Sequence, residues 1–347
     1  MVITQTPFRM SFFGGGTDMP EFFAEHGGAV LSTTFDKYCY VSVRHLPPFF
    51  DYRNEAVYSV IERTKTADTF DHPLIREAMK HLDMHNLRIT YDSDLPARSG
   101  LGTSSSFAVG LLNAFYAIKG KTVTAEQLAQ QAIHIERELC QEAGGWQDQI
   151  AAAFGGFNRI DFAGDTFQVS PIKATNSTLL HLNRKLLLFF TGFARYSHKV
   201  QETLQSAIPD KVCELQRLKT YVDEAEAILV DGRNLDQFGL LLDESWQIKR
   251  SLTSSVSNTT IDDLYRSAQQ AGAVGGKLLG SGSGGFLLFY AAEDRHDTIR
   301  QALHGLMEVP FSFENSGAST LYCVAETFTK TNDRSTAHPD NLSEEAK

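Results

Sequence analysis

Residues 87–118 contain a strand-like segment, a glycine loop and an apolar helix in direct succession, and this order constrains the fold more than any other part of the sequence. The segment LRITYDSDLP favours a strand, and SSSFAVGLLNAFYAI places apolar residues at helical spacing. Between them, residues 100–106 read GLGTSSS. Backbone N–H groups and the positive end of a helix dipole meet at such a junction, which is the arrangement that binds a phosphate. Helix capping by Ser, Thr and Gly is the alternative, but so dense a cluster favours the phosphate.

Two familiar phosphate-binding motifs do not fit this chain. The Walker A motif requires a glycine where this chain has Phe115, ahead of the GKT at residues 120–122. The dinucleotide pattern GxGxxG occurs at Gly280, Gly282 and Gly285, but the strand-like run FLLFY follows it, whereas the fingerprint must open a helix. The glycine loop is therefore of another kind.

The length of 347 residues favours two domains, because single hydrophobic cores stop growing at about 250 to 300 residues. We expect the first domain to span residues 1–175. The second, residues 176–330, carries a β, α, β, β, α, β series that ends with STLYCVAE and predicts a split βαβ domain. Residues 331–347 are polar and predict a disordered tail.

Two local patterns give sharper predictions. VLSTTFDKYCYVSVRHL, residues 30–46, is rich in β-branched and aromatic residues and predicts a pair of strands. Thr124 and Gln127 have the spacing of a capping box and predict the start of a helix. The apolar stripe of that helix consists of Leu128, Ala132, Ile135 and Leu139.

Composition and charge argue against several classes of function. Of the residues, 42% are hydrophobic and 21% are charged, as in ordinary soluble proteins. The net charge is −10 and no run of basic residues occurs, so we expect neither nucleic acid nor a membrane as a partner. The four cysteines lie far apart, which argues against a disulfide framework. No segment reaches the roughly 18 continuous apolar residues of a membrane span. We therefore expect a cytoplasmic protein, and the sequence leaves a homodimer open.

The stretch HIERELCQEAGGWQDQIAAAFGG offers two carboxylates for chemistry. Glu136 lies on the capped helix, and Asp148 follows a Gly-Gly turn at the start of the next helix. A carboxylate so placed can take a proton from an attacking hydroxyl, and one on a neighbouring helix can hold a metal ion. For Glu136 the alternative is a solvated helix face, since Glu138 is close to it in sequence.

The stretch PFRMSFFGGGTD near the N-terminus offers a cation and a further carboxylate. Arg9 on the first strand could meet phosphoryl charge, and Asp18 after the glycine turn could accept hydrogen bonds from sugar hydroxyls. A surface arginine and a helix N-cap are the respective alternatives. His81 and His85 have the spacing of a zinc helix, but no Glu follows His81 and no third ligand is evident, so we expect no zinc.

Three motifs, in this order, resemble those of the GHMP kinase superfamily, which includes galactokinase, homoserine kinase, mevalonate kinase and phosphomevalonate kinase. They are TPFRMSFFGGGTD, LPARSGLGTSSS and GAVGGKLLGSGSGGF. The second is similar to the phosphate loop of the family, with Thr103 in place of its first serine. The resemblance implies an α+β fold of two domains, the first like domain 2 of ribosomal protein S5 and the second a ferredoxin-like split βαβ domain.

The resemblance also implies roles for individual residues. Asp148 would be the general base, and Arg9 would stabilise the transferred phosphoryl group. Mg²⁺ would be held by Glu136 with Ser104 or Ser105. The phosphates of ATP would be bound by Pro96, Gly100, Leu101, Gly102, Thr103, Ser104, Ser105 and Ser106, together with Gly280, Ser281 and Gly282. The substrate would be bound by Gly15, Gly16, Thr17, Asp18, Gly145, Asp148 and Arg195.

The first motif also bears on the substrate. Galactokinases have Gly-Glu-His-Thr-Asp where this chain has GGGTD, which argues against galactose. GGGTD, GGWQDQIAAAFGG and FFTGFARYSHKV are most similar to the branch that contains D-glycero-D-manno-heptose 7-phosphate kinase and fucokinase-like enzymes. In that branch Arg195 would reach the site, where a guanidinium can bind a substrate phosphate through two hydrogen bonds. An exposed arginine is the alternative.

The sequence therefore predicts an ATP- and Mg²⁺-dependent kinase that phosphorylates a hydroxyl, expected to be the anomeric one, of a sugar or sugar phosphate, with heptose 7-phosphate as the acceptor. A fucokinase or galactokinase-like sugar 1-kinase is the alternative. A non-catalytic sensor of ATP or sugar is the alternative from another class, although loss of Asp148 or Glu136 would have favoured it and both are present. The misplaced GxGxxG argues against a nicotinamide oxidoreductase.

Overall fold

The computed structural model describes residues 1–97, 99–192 and 197–324. Its strands are β1 (Val2–Phe13), β2 (Gly28–His45), β3 (Asn54–Val57), β4 (Ile61–Thr64), β5 (Leu87–Ser93), β6 (Phe157–Ala163), β7 (Thr166–Pro171), β8 (Leu186–Phe190), β9 (Gly275–Leu278), β10 (Phe286–Tyr290), β11 (Met307–Glu308), β12 (Phe313–Glu314) and β13 (Ser319–Cys323).

The α-helices are α1 (Pro20–His26), α2 (Pro73–His81), α3 (Thr103–Ile118), α4 (Ala125–Ile133), α5 (Gln147–Phe154), α6 (Asn176–Arg184), α7 (Ser197–Ala207), α8 (Val212–Asp231), α9 (Asp236–Leu252), α10 (Thr259–Gln270) and α11 (His296–Ala302). A π-helical turn, His134–Leu139, follows α4 directly. Within the described ranges, none of the helices combines the length and the apolar character that crossing a bilayer requires.

Strand β2 is the centre of the larger sheet. It is 18 residues long and pairs antiparallel with β1, β5, β6 and β12 along its length. The other strands extend from these partners: β13 pairs with β1, β3 with β5, β4 with β3, and β7 with β6. Helices α3 and α5 pack against β1 and β2, so the glycine loop before α3 lies beside the first strand.

The prediction of a strand pair over residues 30–46 is wrong, because this segment belongs to the single strand β2. Its ladder with β1 is interrupted opposite Pro7, where the two residues Asp36 and Lys37 bulge out. Proline has no N–H group to donate to a ladder. The interruption therefore changes the register without reversing the chain, as a bulge does.

The smaller sheet has the strand order β11-β8-β10-β9, with antiparallel pairing throughout. Helices α9 and α10 pack on β9. A second apolar cluster lies here and includes Trp246, Tyr265 and Phe289. Helices α7 to α10 occupy most of residues 197–270. The chain thus forms the predicted α+β fold around two sheets.

The prediction that STLYCVAE completes the smaller sheet is wrong. Strand β13 instead pairs with β1, with Val2 opposite Cys323, so the chain returns to the larger sheet. An alternating pattern identifies a strand but not its partner, since every open sheet edge offers unpaired N–H and C=O groups. We propose that the domain boundary lies near residue 175 and that β12 and β13 rejoin the first domain. The predicted disordered tail, residues 331–347, lies outside the described residues.

The capping box at the start of α4 is confirmed. Gln127 N donates to Thr124 Oγ1 at 3.1 Å, and Thr124 N donates to Gln127 Oε1 at 3.0 Å. The predicted apolar stripe fails at its end, where Leu139 is 37% exposed. The chain is π-helical from His134 onward, and Cys140 N donates to Ile135 O. The wider turn rotates position 139 away from the stripe.

Candidate active site

The glycine loop ends at α3, whose N-cap is Gly102 in the left-handed conformation at φ 73°. Gly100 is also left-handed, at φ 83°. No side chain caps this helix. The explanation of the serine cluster as simple helix caps is therefore wrong, and the N–H groups in the first turn of α3 are suited to binding an anion.

The serines of this cluster have different surroundings. Ser104 Oγ donates to Glu136 Oε1 at 2.9 Å, at the wall of the cavity. Ser106 is fully buried, and its Oγ donates to Pro7 O at 3.0 Å. Ser104 thus lines the cavity, whereas Ser106 connects α3 to the first strand.

The third glycine motif packs directly on the glycine loop. A Cβ atom on Gly280 would lie 2.4 Å from Gly100 Cα, and one on Gly285 would lie 2.2 Å from Ser99 O. Such distances are closer than any real Cβ contact, so two backbones meet here with no room for a side chain. Strand β10 follows Gly285, which agrees with the prediction that this GxGxxG is not a dinucleotide fingerprint.

Arg9 and Asp148 form a two-point ion pair at the floor of the cavity. Arg9 Nε donates to Asp148 Oδ1 at 2.7 Å, and Arg9 Nη2 donates to Asp148 Oδ2 at 2.8 Å. Arg9 Nη1 donates to Gly100 O at 2.8 Å, and Arg9 is 4% exposed, so the alternative of a surface arginine is wrong. A Cβ atom on Gly102 would lie 3.4 Å from Asp148 Oδ2. The glycine loop, the cation and the carboxylate are therefore in mutual contact.

Glu136 is buried on the inner side of the π-helical turn, at 3% exposure. Its carboxylate accepts hydrogen bonds from Ser104 Oγ and, at 2.6 Å, from Gln149 Nε2. Burial, followed by repulsion from Glu142, raises the pKa of Glu136 to about 7. The side chain of Glu138 is 69% exposed on the same turn. The solvated-face alternative therefore fits Glu138 but is wrong for Glu136.

The surroundings of Glu136 fit a magnesium ion. Among the described residues, no lysine or arginine is paired with this buried carboxylate. The same residues contain no group of three or more His, Cys, Asp or Glu side chains that could hold a metal. Mg²⁺ prefers oxygen ligands and is usually bound by one or two carboxylates with substrate phosphates and water. One carboxylate beside a serine hydroxyl and the glycine loop meets that requirement.

Asp18 is buried at 3% exposure and lies beside the Gly144-Gly145 turn. It accepts a hydrogen bond from Gly16 N at 2.9 Å, and burial, followed by the charge of Asp148, raises its pKa. The N-cap of α1 is Met19, so the alternative of Asp18 as a helix cap is wrong. A Cβ atom on Gly145 would lie 1.8 Å from Asp18 Oδ2. A glycine at this position is what permits the carboxylate to reach the cavity.

Two buried lysines near the site were not found from the sequence. Lys249 on α9 lines the cavity and is 8% exposed; burial, followed by the charge of Arg9, lowers its pKa to about 8. Lys277 on β9 donates to Phe12 O at 2.6 Å, and burial lowers its pKa well below the usual value. Lys249 continues the buried face of α9 that holds Leu242 and Trp246. A lysine on an apolar stripe was the signal available in the sequence.

One cavity brings most of the predicted site residues together. Those that line it are Arg9, Gly15, Gly16, Asp18, Gly100, Gly102, Thr103, Ser104, Ser105, Glu136, Gly145, Asp148, Gly280 and Ser281. The predicted site residues that do not line it are Pro96, Leu101, Ser106, Gly282 and Thr17. Leu101 is in the apolar core, and Thr17 Oγ1 donates to Gly14 O and Ala29 O at 2.8 Å, which holds the first glycine turn. Arg195 lies outside the described residues.

Comparison with known proteins identifies the family. Residues 72–156 match the model of the GHMP kinases N terminal domain, and residues 225–308 match that of the GHMP kinases C terminal domain. The D-glycero-alpha-D-manno-heptose 7-phosphate kinase of Campylobacter jejuni is 30% identical over 338 residues, which cover 91% of this chain and 98% of that protein. The chain belongs to the GHMP kinase family. It is thus an enzyme of the kinase class, as predicted.

Two further proteins resemble this chain over most of its length. The bifunctional fucokinase/GDP-fucose pyrophosphorylase of Arabidopsis thaliana is 26% identical over 329 residues, covering 86% of this chain and 31% of that larger protein. The solved structure of a D-glycero-D-manno-heptose 1-phosphate kinase from Bacteroides thetaiotaomicron superposes with a TM-score of 0.76 at 25% identity, covering 94% of this chain and 100% of that one. The predicted two-domain GHMP kinase fold is therefore confirmed.

Proposed function

We propose that this GHMP kinase transfers the γ-phosphoryl group of ATP to the anomeric hydroxyl of a sugar phosphate, with D-glycero-D-manno-heptose 7-phosphate as the acceptor and Mg²⁺ as the metal. The observation that carries the proposal is the contact of Asp148 with Arg9 and with the glycine loop in one cavity. The Campylobacter relative, which matches nearly the whole chain and is named for this acceptor, supports the choice of substrate.

The nucleotide would lie between the two glycine motifs. The N–H groups of residues 100–105 would bind its phosphates, and Gly280 and Ser281 would close the opposite side of the cavity. Glu136 would hold Mg²⁺ together with the hydroxyl of Ser104 or Ser105. When bound, Mg²⁺ supplies charge neutralisation at the phosphate oxygens.

Asp148 and Asp18 would have different roles toward the acceptor. Asp148 would take the proton of the reacting hydroxyl, whose oxygen forms a bond to phosphorus while the bond to ADP breaks. Arg9 would hold Asp148 in place and lie beside the transferred group. Asp18 would accept hydrogen bonds from other sugar hydroxyls, and Gly15 and Gly16 would allow the sugar to approach the turn. Positioning and electrostatics would then account for most of the rate enhancement.

The test is release of ADP by the purified protein with ATP, Mg²⁺ and one acceptor at a time. The acceptors are D-glycero-D-manno-heptose 7-phosphate, fucose, galactose, mevalonate and homoserine. We expect the heptose phosphate to give the highest kcat/KM and phosphorus NMR to show an anomeric phosphate. A higher value for fucose or galactose would replace the acceptor in the proposal, and ADP release no faster than without acceptor would overturn the proposal.

The variant Asp148→Asn separates an enzyme from a non-catalytic sensor. Loss of the general base should lower kcat by about 100- to 10,000-fold while ATP binding persists. A sensor would bind ATP and sugar equally well in both proteins and release no ADP from either.

A further inference from the structure

A small polar space lies next to Gly15, between the first glycine turn and helix α9. The position that a Cβ atom would take on Gly15 is 3.8 Å from Ser11 Oγ, 3.9 Å from Gln147 Nε2 and 3.9 Å from Lys249 Nζ. All four residues line the active-site cavity. We call this space, bounded by Ser11, Gly15, Gln147 and Lys249, the Gly15 niche. Because Gly15 has no side chain, three polar groups surround room for a single small group.

The hydrogen bonds of the Gly15 niche are incomplete within the described part of the chain. Ser11 Oγ and Gln147 Oε1 are buried and have no partner there. Lys249 Nζ donates to Gly280 O at 2.6 Å, which uses one of the three donors of an ammonium group. Ser11, Gln147 and Lys249 are at most 9% exposed. Since buried polar groups without partners are destabilising, the niche is suited to a ligand group that both donates and accepts.

The charges around the niche favour a neutral ligand group. Asp18 and Asp148 line the same cavity and interact electrostatically with Lys249, as does Arg9. Two cations thus already face two carboxylates. A phosphate dianion here would be repelled by both carboxylates, whereas a hydroxyl carries no net charge and can donate one hydrogen bond while accepting others.

We propose that the Gly15 niche binds one hydroxyl group of the sugar acceptor, a hydroxyl other than the one that is phosphorylated. Lys249 Nζ and Gln147 Nε2 donate hydrogen bonds to its oxygen, and Ser11 Oγ accepts its proton. The proposal rests on the proposed function, in which the reacting hydroxyl is held by Asp148. The niche then determines specificity, because a sugar without that hydroxyl leaves buried polar groups unpaired.

The main test compares the wild type with Lys249→Met on heptose 7-phosphate and on analogues that each lack a single hydroxyl. One analogue should lower the kcat/KM of the wild type by about 10- to 100-fold. The same analogue should lower the kcat/KM of Lys249→Met by less than about threefold. The missing hydroxyl and the missing ammonium group are the two partners of one hydrogen bond, so the second loss adds little to the first. If every analogue affects both proteins equally, Lys249 does not contact a sugar hydroxyl and the proposal is overturned.

Lys219→Met is the matched control. Lys219 on α8 also donates to a backbone oxygen, His26 O at 2.9 Å, but it does not line the cavity. This variant should discriminate among the analogues as the wild type does. If both lysine variants lose the discrimination between heptose 7-phosphate and the analogues equally, the effect comes from removing any lysine and the proposal is overturned.

Gly15→Ala tests the niche without removing a charge. Its methyl group would meet the polar atoms at ordinary contact distances of 3.8 to 3.9 Å, and Gly15 does not have a left-handed φ, so the variant should fold. We expect the KM for the acceptor to rise about tenfold or more while the KM for ATP changes by less than about twofold. An unchanged KM for the acceptor would contradict a sugar hydroxyl in this space.

Calorimetric titration of the sugar phosphate without ATP separates this proposal from the proposed function. A wild type that binds the sugar without phosphorylating it overturns the proposed function. The affinities of the wild type for the analogues then show whether the Gly15 niche binds a sugar hydroxyl. A wild type that phosphorylates the sugar but shows no dependence on Lys249 overturns the niche alone. A wild type that binds none of the sugars overturns both.

Discussion

The carboxylate of Asp148 accepts a hydrogen bond on each oxygen from the guanidinium of Arg9, at 2.7 and 2.8 Å. A third nitrogen of the same guanidinium donates to Gly100 O. The first strand therefore sets both the orientation of the carboxylate and its distance from the glycine loop. A planar group with several fixed donors can do this, whereas a single ammonium group cannot.

Arg9→Lys should lower kcat by about 100-fold, because one ammonium group cannot hold both carboxylate oxygens and the loop carbonyl together. Steady-state kinetics with ATP and the heptose phosphate measures this effect. The control is Arg63→Lys, since Arg63 pairs with Glu55 away from the cavity and its side chain is 56% exposed. If both variants retain the wild-type kcat, the geometry of the Arg9 pair is unimportant for turnover.

Glu136→Gln should raise the Mg²⁺ concentration needed for half-maximal activity by about tenfold or more, because it removes the charged ligand and keeps the shape of the side chain. A titration of activity against Mg²⁺ at saturating ATP measures the change. Glu138→Gln, on the same π-helical turn but exposed to solvent, should leave the titration unaltered. Equal midpoints in Glu136→Gln and the wild type would show that Glu136 does not hold the metal.

Gly280→Ala should destabilise the protein and weaken ATP binding. Gly280 has φ 82°, and its Cβ would lie 2.4 Å from Gly100 Cα, where neither backbone can move without disturbing the loop. We expect the midpoint of thermal unfolding to fall by about 4 °C or more and the KM for ATP to rise. Gly305→Ala is the control, since nothing lies within 4 Å of its Cβ position. Matching midpoints in both variants would mean that the two loops are not in tight contact.

Lys249→Met should stabilise the protein near pH 7 while impairing the enzyme. Burial, followed by the charge of Arg9, lowers the pKa of Lys249 to about 8. The charges of Asp18 and Asp148 oppose this shift. Lys277 is a further charged group that interacts with Lys249. The unfolded chain therefore binds the proton of the Lys249 ammonium group more tightly than the folded chain does. Charged Lys249 is for this reason destabilising below pH 8. The destabilisation disappears as the pH rises from 8 toward the ordinary lysine pKa. After loss of the bond to Gly280 O, we expect a net gain of about 2 kcal/mol at pH 7.

Thermal unfolding of the wild type and Lys249→Met between pH 7 and pH 10 measures this difference. The gain in the variant should shrink steadily above pH 8. The same measurement on Lys219→Met is the control, because Lys219 does not line the cavity. A gain for Lys249→Met that stays constant with pH would contradict a lowered pKa.

Local features of the fold could be predicted because they depend on neighbouring residues. The capping box of Thr124 and Gln127 needs only two side chains one helical turn apart, and the glycine loop before α3 needs only residues that tolerate left-handed backbone. The prediction failed where geometry changed within an element: in the π-helical turn Leu139 is 37% exposed and does not continue the apolar stripe. No pattern with a fixed helical period anticipates such a turn.

The sequence predicted some of the residues that line the cavity and missed others. Asp148, Glu136, Arg9 and Asp18 were selected for their chemistry and their motifs, and they do line one cavity. Lys249 was not selected, because a lysine in a helix is usually solvated and only the packing of α9 against the glycine turns buries this one. The predicted set also included Ser106, whose hydroxyl is used by the backbone of β1.

Residue types and local spacing were enough to predict the motifs, their order and the side chains available for catalysis, and the resemblance of those motifs indicated the family. Contacts made only in the folded chain place β13 in the larger sheet, bring the two glycine motifs together, and bring Ser11, Gln147 and Lys249 to one space. The reason is that these contacts join segments more than a hundred residues apart. Their formation depends on the packing of the whole chain rather than on any local preference.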